Sequence, residues 1–238
     1  MSVDRSWRRI GRATPAPATR GRWTRLMNPA GMLARWRAGR ERLAQARFVV
    51  LDLETTGPRR ERDRIVAIGA VAIERRALVH ADAFFAVLRQ PVASARANIL
   101  VHRIGAQHQL SGADPAAALQ SFLAYRGSAT GVAFRADFDR VVLGRELRRV
   151  LDLRDRRTML DLAMLLPALF PGVPHDTLDA WARHFGITPL ARHDALGDAY
   201  VTAQLLLVVI SAAERAGAHT VADLAAIERG QRWLGRRP

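Results

Sequence analysis

Acidic residues stand at three places in this sequence where their positions suit metal chemistry. Asp52 and Glu54 end a strongly apolar segment and are followed by Thr55-Thr56-Gly57. Because side chains alternate along a strand, the two carboxylates would share one face. Adjacent carboxylates repel each other unless a cation joins them, and hard cations such as Mg²⁺ prefer carboxylate oxygens. The pair is a candidate metal site, although a solvated strand end is the commoner explanation of this pattern taken alone.

Two other segments carry similar chemistry further along the chain. Asp139 follows the fourth predicted strand, and His193-Asp194 with Asp198 stands at the entrance to a long predicted helix. Taken singly, Asp139 is a typical helix-start charge and Asp194 a typical N-cap. An imidazole has an unperturbed pKa near 6.5, so His193 can accept a proton from water near neutral pH.

Short apolar runs and helical patterns predict the elements that would position these residues. Four strands are predicted, at residues 48–53, 65–73, 83–88 and 130–134. One helix is predicted before the fourth strand, at residues 114–125, and four helices after it, at residues 138–148, 158–166, 178–185 and 194–216. Strands first and helices mostly later indicate an α/β domain with a mixed β-sheet flanked by helices.

The charge of the chain is strongly positive and unevenly distributed. Its 37 basic residues, all of them arginine, exceed 22 acidic ones by 15. Residues 1–47 hold twelve of these arginines against Asp4 and Glu41, and we interpret them as a basic N-terminal arm that is partly helical. Such a balance favours a polyanionic partner, and nucleic acid is the partner that we expect.

The remaining boundaries and exclusions follow from composition. The catalytic domain is predicted at 48–216, and a C-terminal tail at 217–238 with a short helix after Thr220, where Asp223 completes a capping box. Since the chain has no cysteine, thiol catalysis and cysteine-bound zinc are excluded. No apolar run approaches the roughly 18 residues of a membrane span, and no secretory segment follows Met1, so a cytoplasmic location is expected.

Taken together and in this order, the motifs resemble one enzyme family. Residues 49–57 (VVLDLETTG), residues 131–139 and residues 193–199 (HDALGDA) are similar to the DEDDh family of 3′–5′ exonucleases, which includes the epsilon proofreading subunit of bacterial DNA polymerase III. The resemblance covers roughly residues 48–210. It implies a ribonuclease H-like fold and two-metal hydrolysis of terminal phosphodiester bonds, with release of nucleoside monophosphates.

The resemblance also implies a role for each catalytic residue. Two Mg²⁺ or Mn²⁺ ions would be bridged by Asp52. Glu54 and Asp198 would bind the ion on the side of the nucleophile, and Asp139 would bind the other ion. His193 would be the general base.

Residues that hold the substrate are carried over in the same way. Thr55, Thr56 and His102 are candidates for gripping the terminal nucleotide. The chain departs from the family where Phe134-Arg135 replaces the usual His-Asn, and Arg135 is a candidate phosphate contact instead. Arg103 also replaces a glycine that is common in the family.

Several alternatives stay open at this point. DNA with a single-stranded or frayed 3′ end is the preferred substrate, and RNA-trimming relatives share the same five catalytic residues. A catalytically silent nucleic-acid-binding module is a second function class. A role as the proofreading subunit of a replicative polymerase is a third hypothesis, against which no clamp-binding peptide is visible.

Overall fold

The computed structural model describes residues 40–188 and 194–235. His193 and the predicted helical part of the arm before residue 40 lie outside the described residues. The described strands are β1 (Arg47–Thr55), β2 (Ile65–Glu74), β3 (Ala77–Val87), β4 (Thr130–Ala133) and β5 (Met159–Asp161). The described helices are α1 (Arg96–His102), α2 (Ala106–Leu110), α3 (Pro115–Arg126), α4 (Ala136–Leu151), α5 (Leu162–Leu169), α6 (Leu178–His184), α7 (Ala195–Arg215) and α8 (Val221–Leu234).

The five strands form one mixed sheet in the order β3-β2-β1-β4-β5. β1 pairs with β2, and β2 with β3, in antiparallel register, whereas β1–β4 and β4–β5 are parallel pairs. β2 is buried from Ile65 to Ile73, as expected of a strand covered on both faces. The predicted α/β class with a mixed, helix-flanked sheet is confirmed.

Alternation along β1 sorts its side chains into two cores. Phe48 and Val50 belong to the core beneath α5, α6 and α7, while Val49 and Leu51 belong to the core beneath α3 and α4. Asp52 continues the first series, and it therefore reaches the end of the strand on the face that α7 covers.

One predicted helix begins differently in the structure. Residues 158–166 were expected to be helical throughout, but Met159–Asp161 form β5 beside β4, and the helix starts at Leu162. Since strand and helix are both apolar, periodicity cannot separate a three-residue strand from the helix that follows. Asp161 marks the boundary, because its side chain accepts a hydrogen bond from the amide of Ala163 and caps α5.

The segments just outside the predicted catalytic domain are packed against each other. The amide of Leu43 donates to the carbonyl of His219 at 2.8 Å, and the amide of Val221 donates to the carbonyl of Glu41 at 3.1 Å. Leu43 is fully buried in the core beneath α7. The helix after Thr220 is present with its capping box, but it is fourteen residues long and its Leu224 belongs to the same core. The boundaries at 47/48 and 216/217 therefore cut through continuous packing.

Among the described helices, α7 is long and apolar enough to meet the length and composition of a membrane span. Its most apolar stretch is 67% buried within the fold, where it packs on β1 and β2. This is the behaviour of a helix in the core of a globular domain.

Candidate active site

Two of the predicted metal ligands lie at the carboxyl end of β1. Asp52 and Glu54 are partly exposed and point to the same face, while Leu53 between them is buried in the opposite core. The register with β2 shifts between Glu54 and Thr55, so the strand leaves regular pairing directly after the second carboxylate. The sheet thus presents the pair at the carboxyl end of its central strand.

The third ligand comes from the first turn of α7. Asp194 is the N-cap, and its Oδ1 accepts a hydrogen bond from the amide of Gly197 at 2.9 Å. Asp198 follows one turn inside the helix and is buried. The N-terminal end of α7 crosses β2 at Gly69, the residue paired with Asp52 across the sheet.

These elements bring three carboxylates together. One oxygen from each of Asp52, Glu54 and Asp198 lies within 4.8 Å of the others. Like charges at such distances are unfavourable without a cation, and hard divalent cations take oxygen ligands of this kind. The donor set therefore fits a divalent metal ion.

Asp139 lies near this group, beside the backbone of β1. It lies in the first turn of α4 and is buried, and the nearby amide of Leu53, the residue between Asp52 and Glu54, lowers the pKa of its carboxyl, against the rise that burial causes. The fourth predicted ligand thus lies near the same strand end as the first two.

The pKa shifts of Glu54, Asp139 and Asp52 match this arrangement. Burial, reinforced by Asp198 and Asp194, raises the pKa of Glu54 to about 7. Burial likewise raises the pKa of Asp139 to about 7, with a further contribution from Asp161. Burial and then Asp139, Glu54 and Asp198 raise the pKa of Asp52 well above its usual range. A bound cation would favour the ionised forms and reverse these shifts.

The predicted substrate threonines form the turn after β1. The hydroxyl of Thr55 donates to the carbonyl of Gly57 at 2.7 Å, and that of Thr56 accepts from the amide of Arg64 at 3.0 Å. Asn98 of α1 donates its side-chain amide to the carbonyl of Thr56. The turn is therefore held between β2 and α1, beside the carboxylates.

His102 is buried in the structure, and its contact with the terminal nucleotide stays a prediction. It is 3% exposed, its Nδ1 accepts from the amide of Ile104 at 3.1 Å, and its Nε2 lies 3.2 Å from Ser94 Oγ. Because Nδ1 is the acceptor, Nε2 carries the proton and donates to Ser94. Burial lowers the pKa of His102, which keeps the ring neutral. Its two ring contacts join the loop segments on either side of α1.

Arg135 lies at the N-cap position of α4 and is exposed. Its backbone is left-handed, with φ of 60°, and its guanidinium donates to the carbonyl of Asp176 at 3.0 Å. The side chain is accessible, four residues before Asp139, and its contact with a substrate phosphate stays a prediction. The position of His193 lies outside the described residues, one residue before Asp194.

Some residues that shape the site were not predicted from the sequence. Gly69 lies within a strand pattern, where an isolated glycine can signal a close backbone approach. Asn98, Asp161 and Arg232 carry no such feature, since their roles depend on contacts between elements distant in sequence.

Comparison with known proteins agrees with this geometry. The model of the family described as Exonuclease matches residues 49–206, which include the four predicted metal ligands Asp52, Glu54, Asp139 and Asp198. The chain belongs to the exonuclease family. The resemblance to DEDDh exonucleases and the ribonuclease H-like fold are thereby confirmed.

Relatives within this family include components of bacterial DNA polymerase III. The chain is 28% identical over 182 residues to the PolC-type DNA polymerase III of Caldanaerobacter subterraneus, matching 76% of this chain and 13% of that protein. It is 28% identical over 177 residues to the DNA polymerase III subunit epsilon of Treponema pallidum, matching 73% of this chain and 81% of that subunit. The chain thus spans about an eighth of the PolC-type polymerases that it matches.

Solved exonuclease structures share the fold. E. coli exonuclease I in complex with a dT13 oligonucleotide aligns with a TM-score of 0.62 and 17% identity, over 72% of this chain and 42% of that one. Exonuclease X in complex with 5′-overhanging duplex DNA aligns with a TM-score of 0.59 and 23% identity, over 76% and 99% of the two chains.

Proposed function

We propose that this protein is a metal-dependent 3′–5′ exonuclease that hydrolyses the terminal phosphodiester bond of DNA and releases nucleoside monophosphates. The observation that carries the proposal is the convergence of Asp52, Glu54 and Asp198 within 4.8 Å, on a strand end that lies near the buried Asp139. Two Mg²⁺ or Mn²⁺ ions held there would stabilise charge on the attacking and leaving oxygens.

Each predicted site residue has a separate role in the proposed reaction. Asp52, Glu54, Asp139 and Asp198 would hold the ions. His193 acts as the general base and accepts a proton from the attacking water. Thr55 and Thr56 line the terminal nucleotide from the turn after β1, and Arg135 offers a cation for a phosphate.

DNA is the substrate class that the relatives favour. Their names refer to DNA polymerase III, and the aligned exonucleases I and X were solved with DNA. The net charge of +15 supports a nucleic-acid substrate of either kind. We also propose a cytoplasmic location, with the basic arm of residues 1–47 as an added phosphate-binding segment.

The decisive experiment follows 5′-labelled single-stranded DNA and RNA of one sequence with Mg²⁺, Mn²⁺ or EDTA. The wild type should give a ladder that shortens from the 3′ end, faster on DNA. EDTA, Asp52→Asn and His193→Ala should each abolish it, while Glu61→Gln, which changes an exposed acid on the 57–64 loop, should not.

Other outcomes have distinct meanings. Faster shortening of RNA would assign the enzyme to RNA trimming. Salt-sensitive binding of both polymers without metal-dependent shortening would overturn the enzyme proposal in favour of a binding module.

A further inference from the structure

The C-terminal helix α8 reaches the active-site end of α4 although it lies beyond the residues matched by the family. The connection is Arg232, whose guanidinium contacts three carboxylates on three elements. Its Nε lies 2.9 Å from Glu228 Oε1, its Nη1 2.5 Å from Asp137 Oδ2, and its Nη2 3.0 Å from Asp161 Oδ2. A planar guanidinium holds several oxygens in a fixed geometry, which a lysine ammonium does not.

Asp161 lies at the end of β5, beside the first residues of α5 and α4. Its carboxylate accepts a hydrogen bond from the amide of Ala163 at the start of α5, at 3.0 Å, and the nearby amide of Ala136 at the start of α4 lowers the pKa of Asp161, against the rise that burial causes. Its own amide donates to Glu228 Oε2 at 3.2 Å. Asp161 is buried, so these contacts are shielded from water.

Arg232 thus contacts the first turn of α4 directly. One arm meets Asp137 in that turn, and the other meets Asp161, which lies near the amide of Ala136 at the start of the same turn. Asp139 belongs to that same turn. A shift of the turn would therefore move the Asp139 carboxylate relative to the end of β1.

We infer that Arg232 is a positioning residue for the metal site, which holds the first turn of α4 so that Asp139 meets Asp52 and Glu54. The inference rests on the proposed function for its effect on catalysis, and on the geometry alone for its effect on metal binding. Residues that orient metal ligands from outside the site alter affinity by roughly 10- to 100-fold when they are removed.

A purely structural role is the competing explanation, because α8 also contributes to the core. The two differ in what Arg232→Ala changes. A positioning role predicts weaker Mn²⁺ binding and a lower kcat in folded protein, with the KM for oligonucleotide nearly constant. A structural role predicts a lower Tm with unaltered Mn²⁺ affinity.

The first measurement is Mn²⁺ binding to the full chain by titration calorimetry, well below the Tm of each variant. Arg232→Ala should bind the weaker of the two ions about tenfold less tightly than wild type, and Arg232→Lys should recover only part of this loss. Arg229→Ala, an exposed arginine on the same helix, is the matched control and should bind as wild type does. Equal Mn²⁺ affinity in the Arg232→Ala and Arg229→Ala proteins would overturn the inference.

A second pair of variants covers the case in which Arg232→Ala does not fold. Asp137 is 42% exposed and also pairs with the exposed Arg140, so Asp137→Asn removes one arm of Arg232 without leaving a buried charge. Asp137→Asn should weaken Mn²⁺ binding roughly threefold, while Arg140→Ala should not; equal effects of the two changes would overturn the inference. If wild type released no nucleotide, the proposed function would fail, and the Mn²⁺ comparison would still decide the role of Arg232.

Discussion

The backbone of Ala195 lies so close to Gly69 that no side chain would fit at position 69. A Cβ built on Gly69 would stand 2.2 Å from the carbonyl carbon of Ala195, well inside van der Waals contact. Gly69 is also the partner of Asp52 in the β1–β2 register, and Ala195 begins the helix that carries Asp198. Because Gly69 has no side chain, α7 can approach β2 closely, and this approach brings Asp198 near Asp52.

Gly69→Ala should therefore damage the site. The added methyl group must push α7 away from the sheet, at a cost of roughly 1–3 kcal/mol for overpacking. It should also weaken Mn²⁺ binding, because Asp198 moves with the helix. Thermal unfolding and titration calorimetry measure the two effects.

Gly144→Ala is a control that should raise stability, whereas Gly69→Ala should lower it. Gly144 lies within α4, and a Cβ added to it would meet no atom within 4 Å. Alanine in a helix interior is favoured over glycine by about 1 kcal/mol. The Tm of this variant should rise and its Mn²⁺ affinity should stay constant. If Gly69→Ala behaved in the same way, the close approach would have no role in the site.

The stability of the metal-free protein should fall as pH rises from about 4 to 7. The pKa values of Glu54 and Asp139 are both raised to about 7, so the folded state binds more protons than the unfolded chain in this window. Stability therefore decreases with pH until both groups are ionised. Saturating Mn²⁺ should remove this decrease, since the ion favours the charged forms.

Glu54→Gln tests the same linkage with one residue. In EDTA at pH 8 it should raise the free energy of unfolding by about 2 kcal/mol, after allowing for the partial exposure of Glu54. It should also abolish stabilisation by one of the ions. Denaturant unfolding with and without Mn²⁺ provides both values, and a Glu54→Gln protein less stable than wild type in EDTA would contradict the prediction.

Replacement of His102 should affect stability more than substrate contact. His102→Ala leaves the amide of Ile104 and the hydroxyl of Ser94 without their ring partner, which should cost about 1–3 kcal/mol. His108→Ala changes an exposed histidine on α2 and should cost little. An unchanged Tm for His102→Ala, combined with a much higher KM for oligonucleotide, would support the substrate role.

A deletion that tests the basic arm should stop at residue 39, because Leu43 belongs to the core. Residues 1–39 carry nine arginines and one aspartate, and their loss should weaken DNA binding and flatten its salt dependence by roughly 0.7 per lost phosphate contact on single strands. Deletion of residues 1–45 would in addition remove Leu43 from the core and lower the Tm. A salt slope that did not change on removal of residues 1–39 would exclude phosphate binding by the arm.

Strand alternation and helix caps could be predicted from the sequence, because each depends on residues that are close together in the chain. The alternation in β1, the N-cap at Asp194 and the capping box at Thr220 are each encoded within a few residues, and each has its predicted form. The convergence of Asp52, Glu54 and Asp198 required the additional knowledge that the motifs occur together in one family.

The parts that the sequence did not predict depend on contacts between distant segments. β5 exists as a strand because β4 is beside it, and no three-residue window reveals that. The contact between Arg232 and Asp161 spans 71 residues. His102 was assigned to the substrate by position in a motif, whereas its burial is set by how α1 and α2 pack.

The two-residue period of β1 has a consequence for how the site could be lost. The segment 48–51 is buried on both faces, so a shift of the strand by one residue would exchange carboxylates for leucines at the site and would turn Asp52 and Glu54 into the opposite core, where Leu53 is buried. The register of the carboxylates is therefore enforced by the free-energy cost of burying a charged group without a partner. An insertion or deletion within residues 48–51 should behave as a folding defect before it behaves as a catalytic one.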